Sequence, residues 1–321
     1  DWAYSALMDW GVQFADRRSH PARAFHAADR GDVRAAPVLL ETGNNKKNTA
    51  ILRASAITQL GRLLPERLMP SLPLWLESDD PLIRLAAAEA TRQLPPEQQL
   101  ERLMPLSQDP VLAVRMMAAE QLAGLVPTTA GPSGQRASKD GQPQAADPLD
   151  ALFAEYIYVQ SQHLDMPSVL TQLSGFQQAR GETADAEALL ISALEKNPQA
   201  SASRVNLADL YRAQGKEIAA RATLESGIQL SEEDASLWFS LALLEVREGN
   251  SGAALIALEE AASLEEPPGY YHYVYAVAQH DHGLPAQAIA TLKAVNHAAP
   301  GQLNVLAALM QYSQQAGEVQ A

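Results

Sequence analysis

The chain of 321 residues contains no cysteine. That excludes disulfides, thiolate metal sites and a cysteine nucleophile. It does not identify the compartment, because a chain without cysteine suits the cytoplasm and the periplasm equally. Aromatic residues make up only 6% and β-branched residues rarely run together, whereas Ala and Leu dominate, which favours helix throughout. No apolar stretch reaches the ~18 residues of a membrane-spanning helix. The opening "DWAYSALMDWG" does not begin with Met and has no basic n-region and no signal-peptide h-region, so a processed chain or a fragment of a longer one is expected. Also absent are a Gly-rich phosphate loop, Ser-x-x-Lys, a nucleophile elbow and His-Glu-x-x-His. Nothing in the pattern points to catalysis.

Basic residues are scarce in the second half. Residues 150–321 hold 8 Lys and Arg against 21 Asp and Glu, while residues 1–149 hold 16 against 17. The net charge of −14 is therefore carried by the C-terminal half. Such a surface does not suit nucleic acid, whose phosphates need a basic footprint, and it fits a solvated protein or one with a cationic partner. With 47% hydrophobic residues there is still enough apolar surface for a substantial core.

What is present is periodic. Gly181, Gly215, Gly249, Gly283 and Gly317 recur at one constant interval. Five residues beyond each of the first four stands Ala186, Ala220, Ala254 or Ala288, and nine beyond stands Leu190, Leu224, Leu258 or Leu292. Eight residues before the glycine come Leu173, Leu207, Leu241 and Tyr275, each followed by Ser or Ala. The interval is that of the tetratricopeptide repeat, ~34 residues, and the pattern resembles that family. Each unit is two helices, A and B. Glycine permits the backbone that ends helix A, small residues let the helices approach, and leucines fill the layer between them. Units are expected at 167–200, 201–234, 235–268 and 269–302, with a partial fifth at 303–321 that lacks helix B. The capping helix that closes such an array is expected beyond it.

A second period lies upstream. Arg53, Arg84 and Arg115 are evenly spaced at a slightly shorter interval, and Ala56, Ala87 and Ala118 keep the same spacing. Asp80-Pro81 and Asp109-Pro110 precede the last two arginines, as a cap and a helix-start proline would. This resembles short HEAT-type repeats, in which an Asp–Arg contact links neighbours. The fold class is therefore all-α: an α-solenoid of helical hairpins, HEAT-like and then tetratricopeptide. Expected domains are an N-terminal helical segment at 1–45, HEAT-like repeats at 46–126, a Pro/Gly/Ser/Gln-rich flexible linker at 127–148 and tetratricopeptide repeats at 149–321.

The order of segments carries a further resemblance. "DWAYSALMDWG", "ILRASAITQL", "DPVLAVRMMAAEQLAG", "AEYIYVQSQHLDMPSVLTQLSGFQQARGE", "RVNLADLYRAQG" and "YVYAVAQHDHG" together look like the C-terminal region of bacterial periplasmic multihaem c-type cytochromes. The resemblance implies a periplasmic location, haem c upstream of Asp1, and no cofactor in this chain, which has no cysteine to attach haem. Two alternatives stay open. One is a redox subunit to which this region contributes haem ligands, with His20 and His26 as candidates. The other is a cytoplasmic scaffold unrelated to haem. His280, Asp281 and His282 form the one cluster with metal-ligand residue types, but His280 and His282 point to different sides of a helix and suit its C-terminal end, so no metal site is expected.

Binding is the functional reading. In tetratricopeptide arrays the A helices line a concave groove, and the resemblance places on it Asn206, Asp209 and Arg212; Phe239, Ser240, Leu243 and Arg247; and Tyr270, Tyr273, Val277 and His280. Two arginines about one repeat apart, with aromatics in the next repeat, suit an extended protein segment carrying an apolar anchor and an acidic group. The carboxylate clamp of chaperone-binding members is matched only by Asn206. Its other positions hold Thr171, Gly175, Ser236 and Ser240. A protein partner or self-association is expected, with no nucleic acid and no membrane insertion.

Overall fold

The computed structural model describes residues 21–126 and 148–317. The expected linker at 127–148 lies outside the described residues except for Pro148, as does His20. Among the described residues there are helices and turns and no strands. They form two compact units that part after Leu125.

In the first unit the helices are α1 (Pro21–Asp29), α2 (Ala36–Asn44), α3 (Ala50–Leu63), α4 (Leu72–Leu76), α5 (Pro81–Ala90), α6 (Pro96–Leu103) and α7 (Leu112–Leu122), with short 3-10 turns between several of them. Helices α3, α5 and α7 stack in order. The periodic alanines Ala56, Ala87 and Ala118 are wholly buried, along with Ile57, Leu60, Ile83, Val114 and Leu122. At Gly61 a β-carbon would stand 2.7 Å from the Cβ of Ala90, so glycine sets the closeness of α3 and α5. Helix α2 already packs on α3, so the first helical pair begins upstream of residue 46.

The arginine spacing has a physical cause. Arg84 is buried and makes a two-pronged pair with Asp109, Nε to Oδ2 at 2.6 Å and Nη2 to Oδ1 at 2.8 Å. Its Nη1 donates to the carbonyls of Ser78 and Asp79, closing the turn before α5. Arg115 Nη1 donates to the Asp109 carbonyl, and Arg53 Nε to that of Gly43. The Arg84–Asp109 pair is thus an inter-repeat Asp–Arg bridge, and Arg53 and Arg115 each also reach a backbone carbonyl. Asp80 caps α5 through Leu82 N–H, with Pro81 in the first turn. The dipeptide Asp109-Pro110 behaves differently. Helix α7 starts at Leu112, Pro110 stands outside it, and Asp109 accepts from Val111 N–H while it pairs with Arg84. The expectation of a cap with a helix-start proline holds at Asp80 and fails at Asp109, where the carboxylate links repeats.

In the second unit α8 (Pro148–Ser161) precedes four hairpins: α9 (Pro167–Ala179) with α10 (Thr183–Lys196), α11 (Ser201–Ala213) with α12 (Glu217–Leu230), α13 (Ala235–Glu248) with α14 (Ser251–Ser263), and α15 (Tyr270–Asp281) with α16 (Pro285–Ala298). Helix α17 (Leu303–Gln315) follows as a fifth A helix. The A–B turns place Gly215 at φ +72° and Gly249 at φ +80°, the left-handed region that costs other residues about 1–2 kcal/mol. No neighbour crowds either site, so conformation alone demands glycine there. Ala186, Ala220, Ala254 and Ala288 are buried at the helix contacts, with Leu190, Leu224, Leu258 and Leu292 beside them. Helix α8 joins the array through aromatic contacts: Tyr156 stacks on Phe176 at 4.3 Å, Phe153 meets it edge-on, and the Arg180 guanidinium lies 4.5 Å over the Phe153 ring.

Two predictions rest on these contacts. Asp109→Ala leaves Arg84 buried without its counter-charge, and hydrogen exchange of α5 amides should report a loss of about 3–5 kcal/mol. Burial alone would raise the Asp109 carboxyl, but hydrogen bonds from Arg84 and Val111, with the Arg84 and Arg115 charges, hold it below the usual range. The stability it contributes is therefore fully present above the unfolded carboxyl value of about 4 and lost as pH falls through the lower folded value. The variant should lack that acid-dependent loss. In the second unit, Gly215→Ala should cost about 1–2 kcal/mol in denaturant melts. Gly175→Ala, in the middle of α9 with open space around it, should stabilise by about 0.5–1 kcal/mol.

Candidate partner groove

The inward positions of the A helices recur once per unit, because helices 12 to 14 residues long present the same face each time. On α11, Asn206 and Asp209 are exposed, and Arg212 is half-buried with its Nε 3.3 Å from Asp209 Oδ1. The Arg212 charge is therefore partly answered within its own helix. A pair this exposed contributes at most about 1 kcal/mol. On α13, Phe239 and Leu243 are half-buried and Arg247 is exposed. Ser240 Oγ donates to the Ser236 carbonyl at 2.8 Å, so its hydroxyl serves its own helix. On α15, Tyr270 is exposed and Val277 half-buried.

Phe239 is brought together with Tyr270, their rings 5.7 Å apart in a T-shaped contact, and with Tyr271 at 4.8 Å. Tyr271 was not among the residues expected from the sequence. Adjacent aromatics on a helix face different ways, so spacing alone gave no reason to include it. Burial pushes the Tyr271 hydroxyl up, helped by the negative charges of Glu265 and Asp234. Tyr273 and His280 are drawn elsewhere. Tyr273 packs on the core cluster of Ala276, Ile289 and Leu292. His280 stacks parallel on Tyr312 at 3.7 Å, and its Nε2 lies 2.6 Å from Gln315 Oε1. Both spend much of their surface on the fold. Where a chaperone-type clamp would stand, Thr171 Oγ1 is paired with Ser203 Oγ at 2.6 Å and Ser236 Oγ with Asp234 Oδ1. These hydroxyls are engaged internally.

The larger electrostatic feature lies between repeats. Arg221 on α12 reaches Glu245 and, at 2.7 Å, Glu248 on α13. Asn250 Nδ2 completes Glu245 at 2.9 Å. The hydrogen bond from Arg221, with support from Asn250 and against burial, holds the Glu245 carboxyl below its ordinary range. The steps along the chain from Arg221 to Glu245 and Glu248 match neither repeat period, so sequence reading missed this link. Among the described residues no group of three or more His, Cys, Asp or Glu is placed to hold a metal ion, and no helix is long and apolar enough to cross a membrane. His26 is an exposed residue of α1.

Two family models agree with this architecture. A model of HEAT repeats matches residues 36–123, and a model of the tetratricopeptide repeat matches residues 178–244. The chain is thus an all-helical repeat array, HEAT and then tetratricopeptide. No curated protein matches it. Among solved structures, TTC0263, a tetratricopeptide-repeat protein of Thermus thermophilus, is 18% identical, with 51% of this chain and 90% of that one covered at a TM-score of 0.42. YrrB, described as a tetratricopeptide-repeat protein with an unusual peptide-binding site, is 16% identical over 50% of this chain and 83% of its own at 0.39. The Cut9–Hcn1 hetero-tetramer of APC/C matches at 12% identity over 91% of this chain and 54% of that one, at 0.40. These values define no function.

Proposed function

We propose that this chain is a non-catalytic interaction module whose tetratricopeptide groove holds an extended protein segment. The observation that carries the reading is on α13 and its neighbour: the clustered rings of Phe239, Tyr270 and Tyr271 and the exposed Arg247. Phe239 and Arg247 are eight residues apart, about 12 Å along a helix. An extended segment rises ~3.3 Å per residue. A partner bearing an apolar side chain and a carboxylate about four residues apart would meet both. Selection from a random peptide library should return that spacing. Replacing Arg212 and Arg247 together with Glu should weaken the selected peptide about tenfold or more while the melting temperature moves by a few degrees at most, since Arg247 is exposed and the Arg212–Asp209 pair contributes little. Unchanged affinity with a collapsed melt would show the arginines to be structural.

We further propose that the module belongs to a periplasmic multihaem c-type cytochrome, with haem c carried upstream and none attached to these residues. The order of the segments quoted above supports this. The module would then hold a protein partner, or a second copy, near the electron-transfer part. An antibody against residues 149–321 should detect, in the periplasmic fraction, a polypeptide that stains for haem after denaturation, whereas the isolated chain should show no Soret band after the same treatment. A haem-negative band in the cytoplasm would exclude the cytochrome reading and leave the groove reading untouched.

A further inference from the structure

The first N–H groups of a helix have no partner within it. At the start of α13, Asp234 meets that need by accepting from Ser236 N–H at 2.9 Å. One repeat further on, the chain has Pro268, which offers no side-chain acceptor, and α15 begins after Gly269, which has no side chain at all. The acceptor for α15 comes instead from Glu265, two residues past the end of α14. Its Oε2 accepts from Gly269 N–H at 3.0 Å and from His272 N–H at 3.1 Å, and lies 3.0 Å from His272 Nδ1. One carboxylate oxygen thus ties both ends of the stretch 269–272.

Tyr270 and Tyr271 lie between the two tied residues, and theirs are the rings that meet Phe239. They belong to the first turn of α15, where helices fray. Tyr270 is 62% exposed, so packing alone holds it weakly. Glu265 is well placed to hold that turn. Burial alone would raise its carboxyl, but hydrogen bonds from His272, Tyr271 and Gly269 hold it below the usual range. It is therefore ionised at neutral pH and acts as an acceptor only. A hydrogen bond from a backbone N–H to a charged carboxylate is stronger than one to a neutral group.

We propose that Glu265 is a positioning residue of the partner groove: by tying Gly269 and His272 it fixes Tyr270 and Tyr271 against Phe239. The inference rests on the groove reading and adds to it a residue that touches no partner itself. With the acceptor removed, the first turn of α15 opens and the two tyrosines lose their register on Phe239. With it in place, a partner docks its apolar side chain on rings already ordered, and less ordering is left to the binding step. The contact at Arg247, near the far end of α13, does not depend on this turn.

Nuclear Overhauser spectra of the full chain, with and without the library-selected peptide, test this. In the unaltered chain, cross-peaks should join the Phe239 ring to those of Tyr270 and Tyr271. Glu265→Met keeps a side chain of similar length and removes the acceptor. It should abolish these cross-peaks and weaken the peptide about tenfold, while amide protection in α11 and α13 stays as in the unaltered chain. A general loss of stability would instead lower that protection together with the affinity. Glu265→Gln keeps an oxygen that can stand in for Oε2, and it should retain the cross-peaks and most of the affinity. Cross-peaks that persist in Glu265→Met would overturn the proposal, as would equal losses in the Met and Gln variants. So would an affinity unchanged once the cross-peaks are gone but still sensitive to Arg212 and Arg247. Failure of the groove reading would show as no peptide selected by the unaltered chain, and the cross-peaks would still report whether Glu265 holds the rings.

Discussion

Each hairpin of the second unit reverses at a glycine whose φ lies between +72° and +80°. This single backbone constraint sets the rest. Helix A ends where the left-handed residue stands, and helix B then runs back at a fixed distance. Alanines at the contacts keep that distance short enough for the leucines to meet. Neither helix buries its apolar stripe alone, so each hairpin depends on the next, and the stripe becomes a continuous core only by stacking. The repeat interval in the sequence is the length of chain needed to bring the same geometry round again.

Apolar stacking does not by itself choose which partners sit beside one another, and in both units arginine supplies specific links. In the first, Arg84 threads between the carbonyls of its own turn and the Asp109 carboxylate of the next repeat. In the second, Arg221 bridges to Glu245 and Glu248 of the following A helix. The planar guanidinium, with five donors and a permanent charge, can satisfy a carboxylate and backbone oxygens at once, which lysine cannot. Arg204 is a contrasting case. Burial lowers its pKa, no carboxylate faces it in its hydrogen bonds, and its Nε is unsatisfied. Such a residue costs solvation and returns mainly packing against Gly227, where a β-carbon would clash with it.

A strict repeat also separates the faces of the array. The inward face of the A helices displays groups the fold does not fully use: Asn206, Phe239, Tyr270 and Arg247. The cleft between A and B helices is structural in most units, and it becomes a cavity where the first unit has Leu170 in place of a longer side chain. The two surfaces arise from one register and differ in chemistry. The groove combines clustered aromatic rings with exposed charge, and the cleft sets leucines beside Gln177, Asp185, Ser192 and Lys196.

The sequence by itself determined the helical class, both repeat periods, the glycine turns and the buried alanines, because each of these depends on residue type at a fixed step along the chain. The inter-repeat role of arginine and aspartate was legible too, though which aspartate caps a helix and which bridges repeats was not. Asp80 and Asp109 precede proline identically, and only the placement of Arg84 distinguishes them. Of the expected groove, Phe239 and Tyr270 meet, while the half-buried Tyr273 packs against the core and His280 stacks on Tyr312 beside Gln315. Those outcomes, the recruitment of Tyr271 and the bridge from Arg221 to Glu245 were decided by tertiary structure alone. They depend on how far one helix lies from the next and how it is rotated, and a periodic sequence specifies the face a residue occupies without specifying which neighbour will claim it.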